Sequence, residues 1–308
     1  MRLGVAFTWH TLSWEERLEL VTLAETLGYD TAYVDGDTSQ LAVRRDAPVL
    51  DGWTVTTALL ARTARIRVGS IRLVQHWSAA RLAQLAATAE RLFPGRHQLF
   101  VSIGDRPEDR AFGLPLRPAA ERIARLDESL DAMRALWRGE SVTRRGAHVT
   151  LDDARVRPVP PGGRIPVEVA AKGAALMPVV ARHADLWNVN LPAIPARVAA
   201  AAAPLAQACR AVGRDPGEIR RRLWIFARPG RSPAETLGEF RRWNPWFAAI
   251  PDAELADALL AGESAACLER IAFLSRALDL EMPVIDLSGL DAAGTRAALE
   301  SLPAGEMV

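Results

Sequence analysis

Lys172 is the only lysine in the chain; every other member of its 38 Lys and Arg residues is arginine. It stands in the apolar run PVEVAAKG, residues 166–173, which ends in a small-residue turn and leads directly into a helix-like stretch, 174–183. A strand end that turns through glycine into a helix can hold an anion. Backbone N–H groups approach closely there, and the helix start carries partial positive charge. A lone lysine left over by arginine-rich composition is the competing explanation. The residues able to move a proton are His10, His76, Asp35 and Asp37, the two acids flanking Gly36. Trp9, Trp77 and Trp187 offer flat apolar walls, and Asn188 adjoins Trp187. Taken singly, the acids read as turn residues and the histidines as loop residues.

The pattern is not hydrolytic. The chain contains no Gly-x-Ser-x-Gly elbow, no His-Glu-x-x-His and no Cys–His arrangement. His10, Asp35, Asp37 and His76 lack diagnostic metal-ligand spacing, so no metal is expected. Several aromatics, proton-moving groups and one anion turn suit a flat, phosphate-bearing cofactor better.

These residues follow short β-like runs. Strand patterns fall at 3–8, 31–34, 66–74, 97–103, 167–171, 184–189, 223–227 and 284–287. Helical periodicity falls at 14–27, 52–62, 79–93, 119–137, 174–183, 195–212, 265–280 and 291–302. Eight strand–helix units predict one α/β domain over 1–308, a (β/α)8 TIM barrel whose sites lie at the strand ends. Two excursions interrupt the rhythm: a hairpin and connector at 139–163, and a long irregular insertion over the mouth at 228–262. A Rossmann sheet would want G-x-G-x-x-G after the first strand, where the chain has Trp9-His-Thr-Leu-Ser. Under the barrel, Gly104 and Asp105 follow the fourth strand and Ala170, Ala171, Lys172 and Gly173 the fifth.

Net charge is +1, with 37 acidic residues against 38 basic, and no basic stripe marks a nucleic-acid partner. Cys209 and Cys267 lie far apart and read as buried thiols of a reducing cytoplasm. No run approaches the length of a membrane span, and the N-terminus has no signal-peptide pattern.

The chain resembles the luciferase-like monooxygenase superfamily, in particular its branch dependent on the deazaflavin coenzyme F420. The resemblance rests on LAETLGYD (23–30), Pro48 onward to ARTARIRVGS (61–70), LFPGR (92–96), Phe112-Gly113, Arg122 through to LWRG (136–139), Pro158 to Pro160 and ARHADLWN (181–188). It covers roughly residues 3 to 190 well and the rest more loosely.

The resemblance implies a cytoplasmic, homodimeric oxidoreductase with a flavin or deazaflavin across the barrel mouth. It places a non-prolyl cis peptide at Ile71–Arg72, or else Ser70–Ile71, behind the ring, and the cofactor phosphate near the turns at 104–105 and 170–173. Hydride would pass between F420 and a small, apolar or aromatic substrate walled by Trp9, Trp77, Trp187 and Asn188. The alternatives are an FMN-dependent two-component monooxygenase, or a catalytically inactive flavin-binding barrel. Three departures bear on mechanism: Gly36-Asp37 replaces the Asp-His of many deazaflavin members, Ser78 replaces a proline, and Lys172 replaces a small or uncharged residue. Asp37, His10 and His76 are therefore the candidate proton carriers.

Overall fold

The computed structural model describes residues 2–7, 12–36, 49–104, 110 and 112–306. In chain order the elements are β1 (Gly4–Phe7), α1 (Trp14–Thr26), β2 (Thr31–Val34), α2 (Gly52–Arg62), β3 (Arg67–Leu73), α3 (Ala79–Leu92), β4 (His97–Ser102) and α4 (Ala119–Trp137). An antiparallel ribbon, β5 (Val142–Arg145) and β6 (Thr150–Ala154), comes next. Then follow β7 (Val167–Ala170), α5 (Met177–His183), β8 (Leu186–Asn188), α6 (Pro195–Ala211), β9 (Arg220–Pro229), α7 (Pro233–Trp243), α8 (Asp252–Ala256), β10 (Leu260–Gly262), α9 (Ser264–Ala277), β11 (Leu280–Asp286) and α10 (Ala292–Ser301).

Strands β1, β2, β3, β4, β7, β8, β9 and β11 pair in parallel and close on themselves, because β11 meets both β9 and β1 while β8 meets β9. This is the expected (β/α)8 barrel. Local chemistry sets its elements. Helix α1 starts at Ser13, where Glu16 N donates to Ser13 Oγ (3.2 Å) and Ser13 N to Glu16 Oε2 (2.8 Å). Such a capping box is worth about 1 kcal/mol.

Alternation along the strands divides the core in two. Val5, Val68, Leu99, Val169, Ile225 and Ile285 face the helices in one large cluster. Ala6, Tyr33, Phe100, Ala170, Met282 and Val284 face the axis, with Ile71 and Trp224 packed against them. A polar plug sits among these. Glu168 Oε2 accepts from Tyr33 OH (2.6 Å) and from Arg222 Nη1 (2.9 Å), and Glu168 Oε1 accepts from Asn188 Nδ2 (3.0 Å). Arg222 Nε reaches Glu281 (3.1 Å). Burial opposes the Arg222 charge, but Tyr33, Glu168 and Glu281 outweigh it and raise its pKa.

Three sequence expectations change. Strand β3 runs straight through Ile71–Arg72, with Ser70, Ile71, Arg72 and Leu73 in unbroken register against Leu99 to Ser102. No cis bond backs a ring there; among the described residues only Arg157–Pro158 is cis. The stretch 174–183 splits into a 3-10 turn, Ala174–Leu176, and the seven-residue α5. The stretch 228–262 is ordered into α7, a 3-10 turn, α8 and β10, the last pairing with β9.

Candidate functional site

The C-terminal ends of β1 and β2 are tied together from outside. Arg17 on α1 donates to Phe7 O (3.0 Å) and pairs with Asp35 (2.9 Å), both side chains being buried. Asp35 is thereby an anchor for the rim. Gly36 follows because a Cβ there would lie 2.4 Å from Ile71 Cγ2.

Along the barrel axis, Tyr33, Phe100 and Trp224 form an aromatic layer. Tyr33 lies 5.7 Å from Phe100, edge on, and 5.3 Å from Trp224. Trp224 is only half buried, yet its Nε1 is sealed from water and has no hydrogen-bond partner. A buried donor left unmet costs about 1–3 kcal/mol, so a ligand acceptor in this layer would recover that cost. At the end of β11, Asp286 is buried and accepts from Ser288 N (2.9 Å). Burial raises its carboxyl pKa, while the Ser288 bonds and the Arg228 charge work against that rise.

Outside β3 and β4 a cleft of about 100 Å³ opens between Gln75 and the first turns of α4, lined also by Leu114, Pro115, Arg117, Glu121, Arg122 and Arg125. Arg122 Nε donates to Arg117 O (2.9 Å), but its Nη1 is buried and unmet. Arg125 Nη2 reaches Trp77 O (3.4 Å), and its Nε is likewise unmet. Two guanidinium groups with spare buried donors fit an anionic oxygen-rich group such as a phosphate.

The segment after β9 reaches across to other strand ends. Trp243 lies so close over Gly289 that a Cβ there would fall 2.2 Å from its ring. Phe247 stacks on Phe240 at 6.1 Å, and Phe240 packs on Phe226 at 5.6 Å. The arginines of this stretch are engaged: Arg228 and Arg231 with Glu239, Arg241 with Asp252, and Arg242 over the Trp243 ring at 5.5 Å. Burial lowers the Arg228 pKa to about 10.

The sequence candidates land in several places. Trp9, His10, Asp37 and Asp105 lie outside the described residues. Lys172 is exposed, its Nζ 5.9 Å from the Phe247 ring. Gly173 has negative φ and open space around it, and a 3-10 turn separates it from the seven-residue α5. Ala170 belongs to the axial cluster. Ala171 N donates to Asn188 O (3.0 Å), and its carbonyl accepts from Trp187 Nε1 (2.8 Å). Gly104 has φ of 67°, with Gln75 Nε2 at 2.9 Å from where a Cβ would stand. His76 ends a 3-10 turn and is half buried.

Five further expected site residues have their side chains engaged within the protein. Trp187 is fully buried under the helices, because strand alternation turns it outward. Asn188 faces the axis, but Glu168 occupies it. Trp77 packs on Trp53 of α2 at 6.2 Å. Ser70 faces α2, bonding Thr56 (2.9 Å) and Gly52 O (3.1 Å). Arg72 lies over the Trp53 ring at 5.1 Å. Ile71 alone of that strand trio turns toward the aromatic layer.

Sequence reasoning passed over Tyr33, Phe100, Trp224, Arg122, Arg125 and Asp286. The usable signals were the inward register of the strands, the i, i+3 spacing of Arg122 and Arg125, and an acid closing the last strand.

Comparison with known proteins places this geometry in context. The family model described as luciferase-like monooxygenase matches residues 1–279. The F420-dependent glucose-6-phosphate dehydrogenase of Rhodococcus erythropolis is 35% identical over 265 residues, 80% of this chain and 74% of that protein. The same enzyme from Mycolicibacterium fortuitum is 31% identical over equal shares. Among solved structures, an F420-dependent secondary alcohol dehydrogenase in complex with an F420-acetone adduct superposes with a TM-score of 0.83 at 18% identity, covering 99% of each chain. The EDTA monooxygenase of Chelativorans superposes at 0.80 with 13% identity, covering 98% of this chain and 92% of that one. At such identities the superpositions speak for the fold alone.

Proposed function

Because the chain belongs to the luciferase-like monooxygenase family, we propose that it is an F420-dependent oxidoreductase acting on a small organic substrate of apolar or aromatic character. The observation that carries this reading is the likeness to F420-dependent dehydrogenases over 80% of the chain. Within the structure, the unmet donors of Arg122 and Arg125 fit the cofactor's phosphate, and the Tyr33, Phe100 and Trp224 layer fits a planar ring. When bound, the deazaflavin supplies a two-electron hydride carrier. The chain's own contribution is to hold the anionic tail, to offer the ring an apolar bed, and to exclude water beneath Trp243 and Phe247.

The substrate reading departs from that of the sugar-phosphate relatives. The segment after β9 presents aromatic rings while its arginines are engaged within the protein. That composition favours an uncharged substrate over a phosphorylated sugar. A homodimer is part of the same reading, and light scattering tests it.

Fluorescence titration with F420 and with FMN tests the cofactor. Micromolar binding of F420 with weak FMN binding is expected. FMN binding alone would replace the reading with a two-component monooxygenase, and binding of neither would leave a catalytically inactive barrel.

A further inference from the structure

Asp286 is the last residue of β11, in register with Ala6 of β1 and Phe226 of β9. Met282 and Val284, four and two residues earlier, both face the barrel axis, so Asp286 faces it at the mouth end. Its two carboxyl oxygens are in different situations. Oδ1 accepts from Ser288 N at 2.9 Å and from the Ser288 hydroxyl, which fixes the plane of the group. Oδ2 has no hydrogen-bond partner among the described residues. The nearby cation, Arg228, is engaged with Glu239, with Ser288 O and with Ala227 O, so it does not close over Oδ2. The result is an oriented carboxyl at a strand end, half tied and half open, where barrel enzymes place reacting groups.

We propose that Asp286, through Oδ2, is the residue that exchanges the proton accompanying hydride transfer, and that the substrate is accordingly a carbonyl compound or its alcohol. The inference rests on the F420 reading above. In the reducing direction the carbonyl carbon gains the hydride, the π pair moves to oxygen, and that oxygen takes the proton from the Asp286 O–H. The two-electron reduction of the carbonyl is balanced by two-electron oxidation of the cofactor, and solvent returns the proton to the carboxylate. In the oxidising direction the carboxylate accepts the alcohol proton. Burial favours the neutral acid and raises its pKa, while the Ser288 hydrogen bonds and the Arg228 charge act against that rise. Among the described residues, the charged and polar groups set around it are Arg228 on β9 and Ser288 just beyond β11.

Carboxyl carbon NMR on aspartate-labelled protein tests this without a substrate, Asp286→Asn identifying the resonance. Asparagine can keep an acceptor toward Ser288, so the variant should fold with an unchanged circular-dichroism spectrum. The expected result is a titration midpoint above that of a free aspartate side chain, displaced when F420 is added. A midpoint at or below the free value overturns the proposal, as does a resonance unmoved by F420 that demonstrably binds. Absence of F420 binding shows separately, in the fluorescence titration, and removes the reading on which the proposal stands. In turnover of a carbonyl substrate, Asp286→Asn lowers kcat roughly a hundredfold and removes one limb of the pH profile, with F420 affinity held within about twofold. An unchanged pH profile counts against it.

Discussion

Within the barrel, Glu168 meets Asn188, Tyr33 and Arg222, and Arg222 in turn meets Glu281. In the cleft beside α4, toward the mouth, Arg122 and Arg125 each hold a buried nitrogen that no described residue meets, as does Trp224 in the axial layer. Both regions bury polar atoms, and both bear the cost of removing them from water. The plug recovers that cost within the protein, and the mouth leaves it to be recovered by something else. A ligand that supplied acceptors to these donors would recover that cost on binding.

Breaking the plug should have the largest effect. Glu168→Ala leaves Arg222 with Glu281 as its remaining carboxylate and strips partners from Tyr33 and Asn188. Urea unfolding should show a loss of about 3–5 kcal/mol. A change below about 1 kcal/mol would mean that the plug is not the stabilising half of the contrast.

Removing the mouth's donors should do the reverse. Arg122→Ala with Arg125→Ala is expected to weaken F420 binding by about 2–3 kcal/mol, with unfolding free energy nearly unchanged. Equal losses in binding and stability would erase the distinction between the two regions.

His97 sharpens the contrast because it is buried with an unmet Nδ1 away from the mouth. Burial, reinforced by the Arg72 charge, lowers its pKa from 6.5 to about 3. The folded state therefore binds fewer protons than the unfolded state across that window. His97 costs no stability above pH 6.5, and stability is lost as pH falls toward about 3. His97→Phe should flatten the acid limb of a stability–pH curve, by roughly 2 kcal/mol near pH 4.5, and leave F420 affinity alone. If F420 affinity changes too, an unmet atom outside the mouth also serves the ligand.

Lys172 should have the smallest effect. As an exposed side chain it can add a screened attraction to an anionic tail. Lys172→Ala should weaken cofactor binding by about 0.5–1 kcal/mol, less in high salt, with the saturated rate intact.

Much of the barrel was legible because alternation and helical periodicity depend on neighbours in sequence. The eight parallel strands follow from short apolar runs separated by amphipathic stretches. What a strand-end rule cannot supply is direction. Trp187 and Asn188 adjoin in sequence, yet one turns under the helices and the other toward the axis. Ser70 and Arg72 face α2 while Ile71 between them faces inward. A one-residue change of register exchanges these roles. Arg122 and Arg125 read as parts of an ordinary helix face, since the absence of acceptors is a property of the assembled cleft. The insertion at 228–262 read as irregular because its prolines break the pattern, although Pro233 and Pro245 occupy first turns of helical segments.

A chain with a single lysine has a chemical consequence. Amine-reactive reagents find one side chain, Lys172, besides the N-terminal amine, and it is exposed 5.9 Å from the Phe247 ring. A dye coupled there would report from beside the aromatic segment without any engineered cysteine, turning a quirk of composition into a ready-made optical gauge for that segment.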